Sequence, residues 1–528
     1  MAQNESWLEI FSAHNDVNVH PQPTSMGFAS KTVSDHHHHH RQGDRSLSSA
    51  TFQLLNHRVV NSFTAEPSND SFNVMDARVP TSLSIDETIR LAALRIVGCS
   101  DSDRVGIPSL LNVPFDPSIS GLSIEDQKNV ELAEYLLSSA DRVNSRQYDE
   151  AISLVDLCDC LSSPKGNAVQ RVVHYFARGL RERVEYETGR NYPPSSKRDD
   201  DEKSYLGDVL RLPSPSIVLS VQERFPYYQM QQLAAVQVML ESAASARRIH
   251  GIDLKIKSGL HWIAFMQALE SRPADGPRVE ILKVTALCTG AVEPVRATGE
   301  WLTGFAKSKG LKFCFKIVRV GDVLDVRGDM FGVDQGREAV MVYSEHAFVA
   351  MIGQPDRMET LMRVVRGLNP QLMVVTETEA NNNSPQFSAR FVDTLFHYGA
   401  VFDSVDACMG ADDESRTFME GGMMGRMISN IVAREGEERV IRGVKLDVWR
   451  AFFRRFEMVE RRLGPVAWQQ ARLVHETAPN GEFCTVERDG KAMVIGWKGT
   501  PLVSVSTWKF FRSARLVNGS KHLRIEFE

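Results

Sequence analysis

At 528 residues, with 42% apolar and 24% charged side chains, the chain has the composition of an ordinary globular protein with room for a large core. A net charge of −6 and a pI near 6.2 argue against a wholesale nucleic-acid binder, leaving at most a local basic face for that role. No apolar run approaches the roughly 20 residues of a membrane span, and the first residues lack a basic-then-apolar leader.

The seven cysteines (Cys99, Cys158, Cys160, Cys288, Cys314, Cys408 and Cys484) are scattered, with no Cys-x-x-Cys pair and no zinc spacing. They are expected to be reduced, in cytoplasm or nucleus. Cys158 and Cys160 could form a redox pair, but they fall in a helical pattern where i and i+2 point apart.

Residues 1–81, rich in Ser, Asn, His and Pro without periodicity, are expected to be disordered. His36 to His40 form an unbroken run, a low-complexity tract or purification tag unless it senses metal or acid pH. Residues 82–122 form a variable helical segment. Its Ser84-Ile85-Asp86-Glu87 is a capping box, followed on one face by Ile85, Ile89, Ala92 and Ile96. That helix either docks a partner or packs on the domain behind it.

Residues 123–245 read as a helical cap. Ser123 caps a helix carrying Val130, Ala133, Leu137 and Ala140, and Ala151, Leu154, Cys158 and Leu161 mark a second. Val169, Val172, Phe176, Leu180 and Val184 mark a third. Such stripes bury against one another or against a second subunit. Tyr186 to Tyr205, with Pro193-Pro194 and a mixed charge run, is a linker or loop, and Pro226 to Ala246 is a further helix.

Ile249-His250-Gly251-Ile252-Asp253 then forms a short strand ending in an acid. A loop punctuated by Gly259 follows, and then a helix with Ile263, Met266 and Leu269 at helical spacing. A nucleotide site opens this way in a doubly wound sheet. In the acid-x-Gly-x-Gly-x-Gly register of methyltransferase folds, counted from Asp253, only the last glycine is present, as Gly259. The other two positions carry Lys255 and Lys257, and any Cβ there blocks the approach of backbone to a cofactor. The reading is a retained fold and a lost catalytic loop, with no cofactor, no metal and no catalytic set. His250 and Asp253 are either a ligand-binding pair at the switch point or, more simply, a core histidine and a helix-capping aspartate.

Strands then alternate with single helices. The strands are Val279–Val284, Leu311–Val320, Ala339–Tyr343 and Leu372–Thr376, and the helices Val292–Ser308, Asp356–Arg366 and Gln386–His397. This implies right-handed parallel β-α-β units. Ala492–Trp497 and Leu502–Trp508 form an antiparallel hairpin about Lys498-Gly499-Thr500-Pro501. The expected fold is α/β, a Rossmann-like, methyltransferase-type sheet over 246–510, mostly parallel and closed by that hairpin, with the α-helical cap before it and an extension at 511–528.

These motifs together resemble the plant GRAS family over about 123–510. Ile249-His250-Gly251-Ile252-Asp253 is similar to its VHIID motif, with glycine in the third place. The stripes from Val130 to Val184 resemble the first leucine-rich region, and residues 287–320 the second. Asn369, Pro370, Glu377, Glu379, Asn381 and Phe391 match the PFYRE region; Gly425-Arg426, Glu435-Gly436, Glu438-Arg439 and Trp449-Arg450 match the stretch after it. Trp497 and Trp508 are similar to the closing SAW motif, with Thr507 in place of its alanine. The DELLA-type degron has no counterpart in residues 1–122. The resemblance implies a nuclear transcriptional regulator that binds other GRAS proteins, as homo- or heterodimer, and DNA-binding factors, in hormone, developmental or root-symbiosis signalling. The core looks nearer the DELLA-like and mycorrhiza-signalling branches.

Two rival functions remain open. One is residual S-adenosylmethionine-type binding or methyl transfer in the switch-point crevice. The other is direct DNA binding by basic residues of 434–462, among them Arg439, Arg442, Arg450, Arg454 and Arg455. There Trp449, Phe452, Phe456, Val459 and Leu463 would bury one helical face and turn the arginines outward, toward phosphate, an acidic partner or the local carboxylates. Glu377 and Glu379 are expected to be separate structural salt-bridge partners, and Trp497 and Trp508 hairpin core residues.

Overall fold

The computed structural model describes residues 83–98, 121–189, 221–270, 278–348, 351–411, 413–439 and 441–511. The expectations for residues 1–81, His36–His40 and 512–528, and for most of the Tyr186–Tyr205 linker, fall outside these.

The capping box forms: Ser84 Oγ accepts from the Glu87 backbone N–H at 3.2 Å, and Ser84 N–H donates back to Glu87 Oε2 at 2.8 Å. It starts α1 (Ile85–Gly98), whose Ile85, Ile89 and Ala92 are buried. This helix is packed on the molecule itself: it lies on α2 (Ile124–Asn144), where Arg95 pairs with Glu134, and against the later α9 (Phe387–Cys408). α3 (Tyr148–Leu161) and α4 (Ala168–Thr188) complete the first helical layer. Asn167 and Gln170 cap α4 reciprocally. α5 (Pro226–Ser242) leads into the sheet.

β1 (Arg248–Asp253) lies between β2 (Ile281–Cys288) and β4 (Ala339–Glu345), with Ile249 opposite both Leu282 and Ala339. β3 (Phe313–Arg319) flanks β2, and β5 (Leu372–Thr378) flanks β4, all parallel. α6 (Leu260–Glu270), α7 (Val292–Ser308) and α8 (Pro355–Leu368) are crossover helices. Every residue of β4 and β5 is buried, which is why these strands read as apolar runs and not as alternations.

The terminal hairpin, β8 (Ala492–Trp497) with β9 (Thr500–Phe510), is antiparallel and attaches to β5 through β9. The strand order is β3-β2-β1-β4-β5-β9-β8-β7, where β7 (Cys484–Asp489) adds an edge strand that hydrophobic pattern alone did not mark. The helix expected to reach Leu463 ends early: α11 (Leu446–Arg455) stops, Glu457 takes the left-handed φ of +58°, and β6 (Met458–Arg461) pairs with the far end of β9. A non-glycine residue at positive φ cannot continue a right-handed helix. The 11-residue β9, longer than β8, leaves backbone there for β6 to use.

Between β5 and α11, α9 is followed by a π-helical turn (Phe418–Met424) running into α10 (Gly425–Ala433). Gly421 and Gly425 make room for Tyr175 of α4; a Cβ on Gly425 would come within 2.6 Å of its ring. α12 (Pro465–Thr477) packs on α5. The main hydrophobic cluster runs from Ile85 through the helices and sheet to Phe510, and Leu446, Ala492 and Val494 form a small second one.

Candidate functional site

Strand order reverses at β1, whose neighbours β2 and β4 lead to opposite edges of the sheet, so the crevice beyond its C-terminal end is where this architecture places ligands. Asp253 ends the strand there, fully buried. Its Oδ2 accepts from His261 Nε2 and from Trp262 Nε1, each at 2.9 Å, and its Oδ1 accepts from the Lys255 backbone N–H at 3.0 Å. Asp253 therefore binds side chains of the first turn of α6 and does not cap that helix's backbone. The His261 ring stacks on Tyr343 with centroids 4.2 Å apart. Tyr343 lies 3.1 Å from Glu345, and Glu345 lies 3.3 Å from the Lys257 ammonium. Burial raises the Glu345 pKa, but Lys257 and then His261 outweigh it and hold the carboxyl below its usual range. Lys255 Nζ reaches the His346 carbonyl at 3.5 Å.

Gly251, the third place of the motif, faces the same side as Asp253. A Cβ on it would lie 2.1 Å from the Trp262 ring. The indole thus occupies the ground beside the strand, and glycine is what admits it. Gly259 has φ +74°, and a Cβ there would also meet the Thr298 methyl of α7 at 2.8 Å, so this glycine serves the turn and the helix packing. At the end of β2, where a dinucleotide site needs an acid for the ribose, the chain has Cys288-Thr289.

His250 points to the opposite face, so it and Asp253 do not form a pair. Its Nδ1 is 3.0 Å from Glu338 and its Nε2 2.8 Å from Thr285 Oγ1. Burial lowers its pKa more than Glu338 restores it. It is a satisfied core histidine.

Asn369 is the left-handed C-cap of α8, with φ +50°, and Pro370 follows where the helix has ended. Glu377 and Glu379, expected as salt-bridge partners, hold backbone; Glu377 Oε2 also lies 3.7 Å from His346 Nδ1, an ion pair only when that imidazole is protonated, which its burial opposes. Glu377 Oε1 accepts from Phe348 N–H at 3.1 Å; both oxygens of Glu379 lie 3.2 Å from Leu446 N, at the start of α11. Burial, above all, lifts the Glu379 pKa to about 7. Asn381 donates to Asp393 at 3.1 Å, and Phe391 packs edge-on to Phe176 of α4. Trp497 donates to Asp403 and Trp508 to Ser506, each at 2.9 Å, and Trp508 lies against Phe453. Thr507 Oγ1 donates to the Arg461 carbonyl at 2.8 Å.

The outward basic face is corrected by the structure. Arg439, Arg442 and Arg450 are buried. Arg439 donates to Asn382 O at 3.0 Å, Arg442 to Asn383 Oδ1 at 2.7 Å and Gly436 O at 2.8 Å. Arg450 gathers Asp447, Glu460 and Asp489 within 3.0, 3.2 and 2.8 Å. Buried guanidinium groups persist because carbonyls and carboxylates match their donors. Arg454 and Arg455 are exposed, Arg455 lying 3.3 Å from Glu359.

The GRAS domain family model matches residues 132–509. This chain belongs to the GRAS family. It is 30% identical over 386 residues to DELLA protein RGL1 of Arabidopsis thaliana, covering 73% of this chain and 71% of that one. To DELLA protein GAI1 of Vitis vinifera it is 27% identical, covering 75% and 65%. Among solved structures, SCL7 of Oryza sativa matches with a TM-score of 0.58 at 23% identity, over 72% of this chain and 99% of that one, a likeness of fold. Family membership carries the coarse function, a plant transcriptional regulator. No helix of the described residues is long and apolar enough to cross a membrane.

This GRAS chain also holds polar residues that periodicity passed over. Arg171 of α4 binds Glu420 at 3.1 Å and Asp406 at 2.7 Å. Arg183 of α4 and Arg390 of α9 donate to the Val432 and Ile431 carbonyls at the end of α10, at 3.1 and 3.0 Å, and both meet Glu435. Cations at a helix C-terminus satisfy orphan carbonyls and oppose the dipole. The only linear hint was arginine inside the apolar stripe of α4.

Proposed function

We propose that the protein is a nuclear plant transcriptional regulator that works as a scaffold. In this reading it assembles with other GRAS proteins, as homo- or heterodimer, and with DNA-binding transcription factors through which it reaches DNA. Hormone, developmental or root-symbiosis signalling is its setting. Residues 123–245 are its helical cap, 246–510 its Rossmann-like core, and His250, Asp253, Lys255 and Lys257 are structural. The observation that supports this most is the state of the Asp253 carboxylate: three donors of the protein's own chain use it, and Trp262 lies where a cofactor would approach.

Calorimetric titration of the full chain with S-adenosylmethionine tests the reading. No saturable heat is expected, and saturable heat in the micromolar range would overturn it in favour of a small-molecule binder. In parallel, the purified chain is expected not to shift promoter DNA unless a DNA-binding partner is added.

A further inference from the structure

Although the whole chain carries a net charge of −6, one end of the sheet is basic and unbalanced. Arg454 lies in the last turn of α11, Arg461 ends β6 with Arg462 just after it, and Lys509 lies near the end of β9, all exposed. None of the four has a carboxylate partner among the described residues. Arg461 and Lys509 share one face of the sheet, and Arg454 and Arg462 flank β6 in the chain. Lys509 is the register partner of Val459, Arg461 follows Val459 on the same face, and Glu457 N–H bonds back to Arg454 O at 3.0 Å. Val459, on the face of Arg461 and Lys509, is 40% exposed, and Phe511, two residues past Lys509, is 66% exposed.

Charges on a short edge strand and bases at a helix C-terminus have ordinary structural uses. Neither use calls for exposed apolar side chains beside cations that have no carboxylate partner among the described residues. We propose that this end of the sheet docks an acidic, apolar-rich segment of a partner protein, with carboxylates on Arg454, Arg461, Arg462 and Lys509 and apolar side chains on Val459 and Phe511. Charge complementarity selects the partner class. A phosphate backbone has no use for Val459 and Phe511. β6 pairs with β9 alone, so an extended segment also finds a strand to join.

The proposal rests on the scaffold reading, yet its failure would leave that reading standing, because the S-adenosylmethionine titration probes only the crevice. The test is fluorescence anisotropy of a labelled peptide alternating Asp or Glu with Leu or Phe, titrated with the full chain. Saturable, salt-sensitive binding is expected, weakened at least about tenfold by Arg461→Glu/Arg462→Glu and by Val459→Asp. Should a variant melt early, Lys509→Glu and Arg454→Glu carry the same comparison from other elements. Affinity within about twofold of wild type in melting-competent charge-reversed chains, or duplex DNA bound more tightly than the peptide, would overturn the proposal.

Discussion

The crevice beyond β1 and the far end of β6 and β9 are both dense in charge, and they treat it oppositely. In the crevice Asp253, Glu345 and Lys257 are buried, and each has a partner from the same chain. At the β6 end Arg461, Arg462 and Lys509 stand in solvent without an ion pair among the described residues. Internal matching fixes a fold and leaves little for a ligand to gain, whereas unmatched exposed charge costs the fold little and remains available to a partner. The place where a Rossmann-like enzyme works is thus the quieter of the two in this molecule.

The largest effects belong to the crevice. Gly251→Ile, which restores a branched side chain to the third place of the motif, drives atoms into the Trp262 ring and is expected to destabilise by about 3 kcal/mol or more. Trp262→Ala alone leaves a cavity and removes a donor from Asp253, at about 3–5 kcal/mol. The double variant is expected to be less unstable than the sum of the two singles. Urea unfolding of all four chains checks this, and simple additivity would show that the two side chains do not compete for one space.

An intermediate effect is expected from Glu379. Its folded pKa of about 7 lies above the ordinary carboxylate value, so the folded state holds the proton more tightly than the unfolded one. Its stabilising contribution is full below about pH 4.5 and is lost as pH rises through 7. Relative to Glu379→Gln, the wild type should therefore lose about 2 kcal/mol between pH 5 and 8, a figure reduced because the side chain is only partly covered. Parallel stability–pH curves for the two chains would contradict this assignment. The smallest effect is at the other region: Arg461→Glu/Arg462→Glu should change unfolding free energy by less than about 0.5 kcal/mol, read from the same urea titrations.

Much of this architecture could be read from local pattern. The order of β1 to β5, the limits Val292–Ser308 of α7, the Ser84 capping box and the closing hairpin all follow from periodicity and turn chemistry. What stayed hidden depends on distant partners. Arg439 is buried because Asn382, 57 residues earlier, offers a carbonyl, and Arg183 because α10 ends beside it. β6 is four residues long and exists because β9 outruns β8. In the crevice, the two lysines stand at register positions where glycines were looked for, a fact of sequence alone. The reason for glycine at 251 was legible only once Trp262 had a position.

The pairing of Gly251 with Trp262 also ties the two positions to each other. With the indole in place no branched residue fits at 251, and with glycine there a smaller residue at 262 leaves a void. Neither position is therefore free to change alone: a larger residue at 251 requires a smaller one at 262.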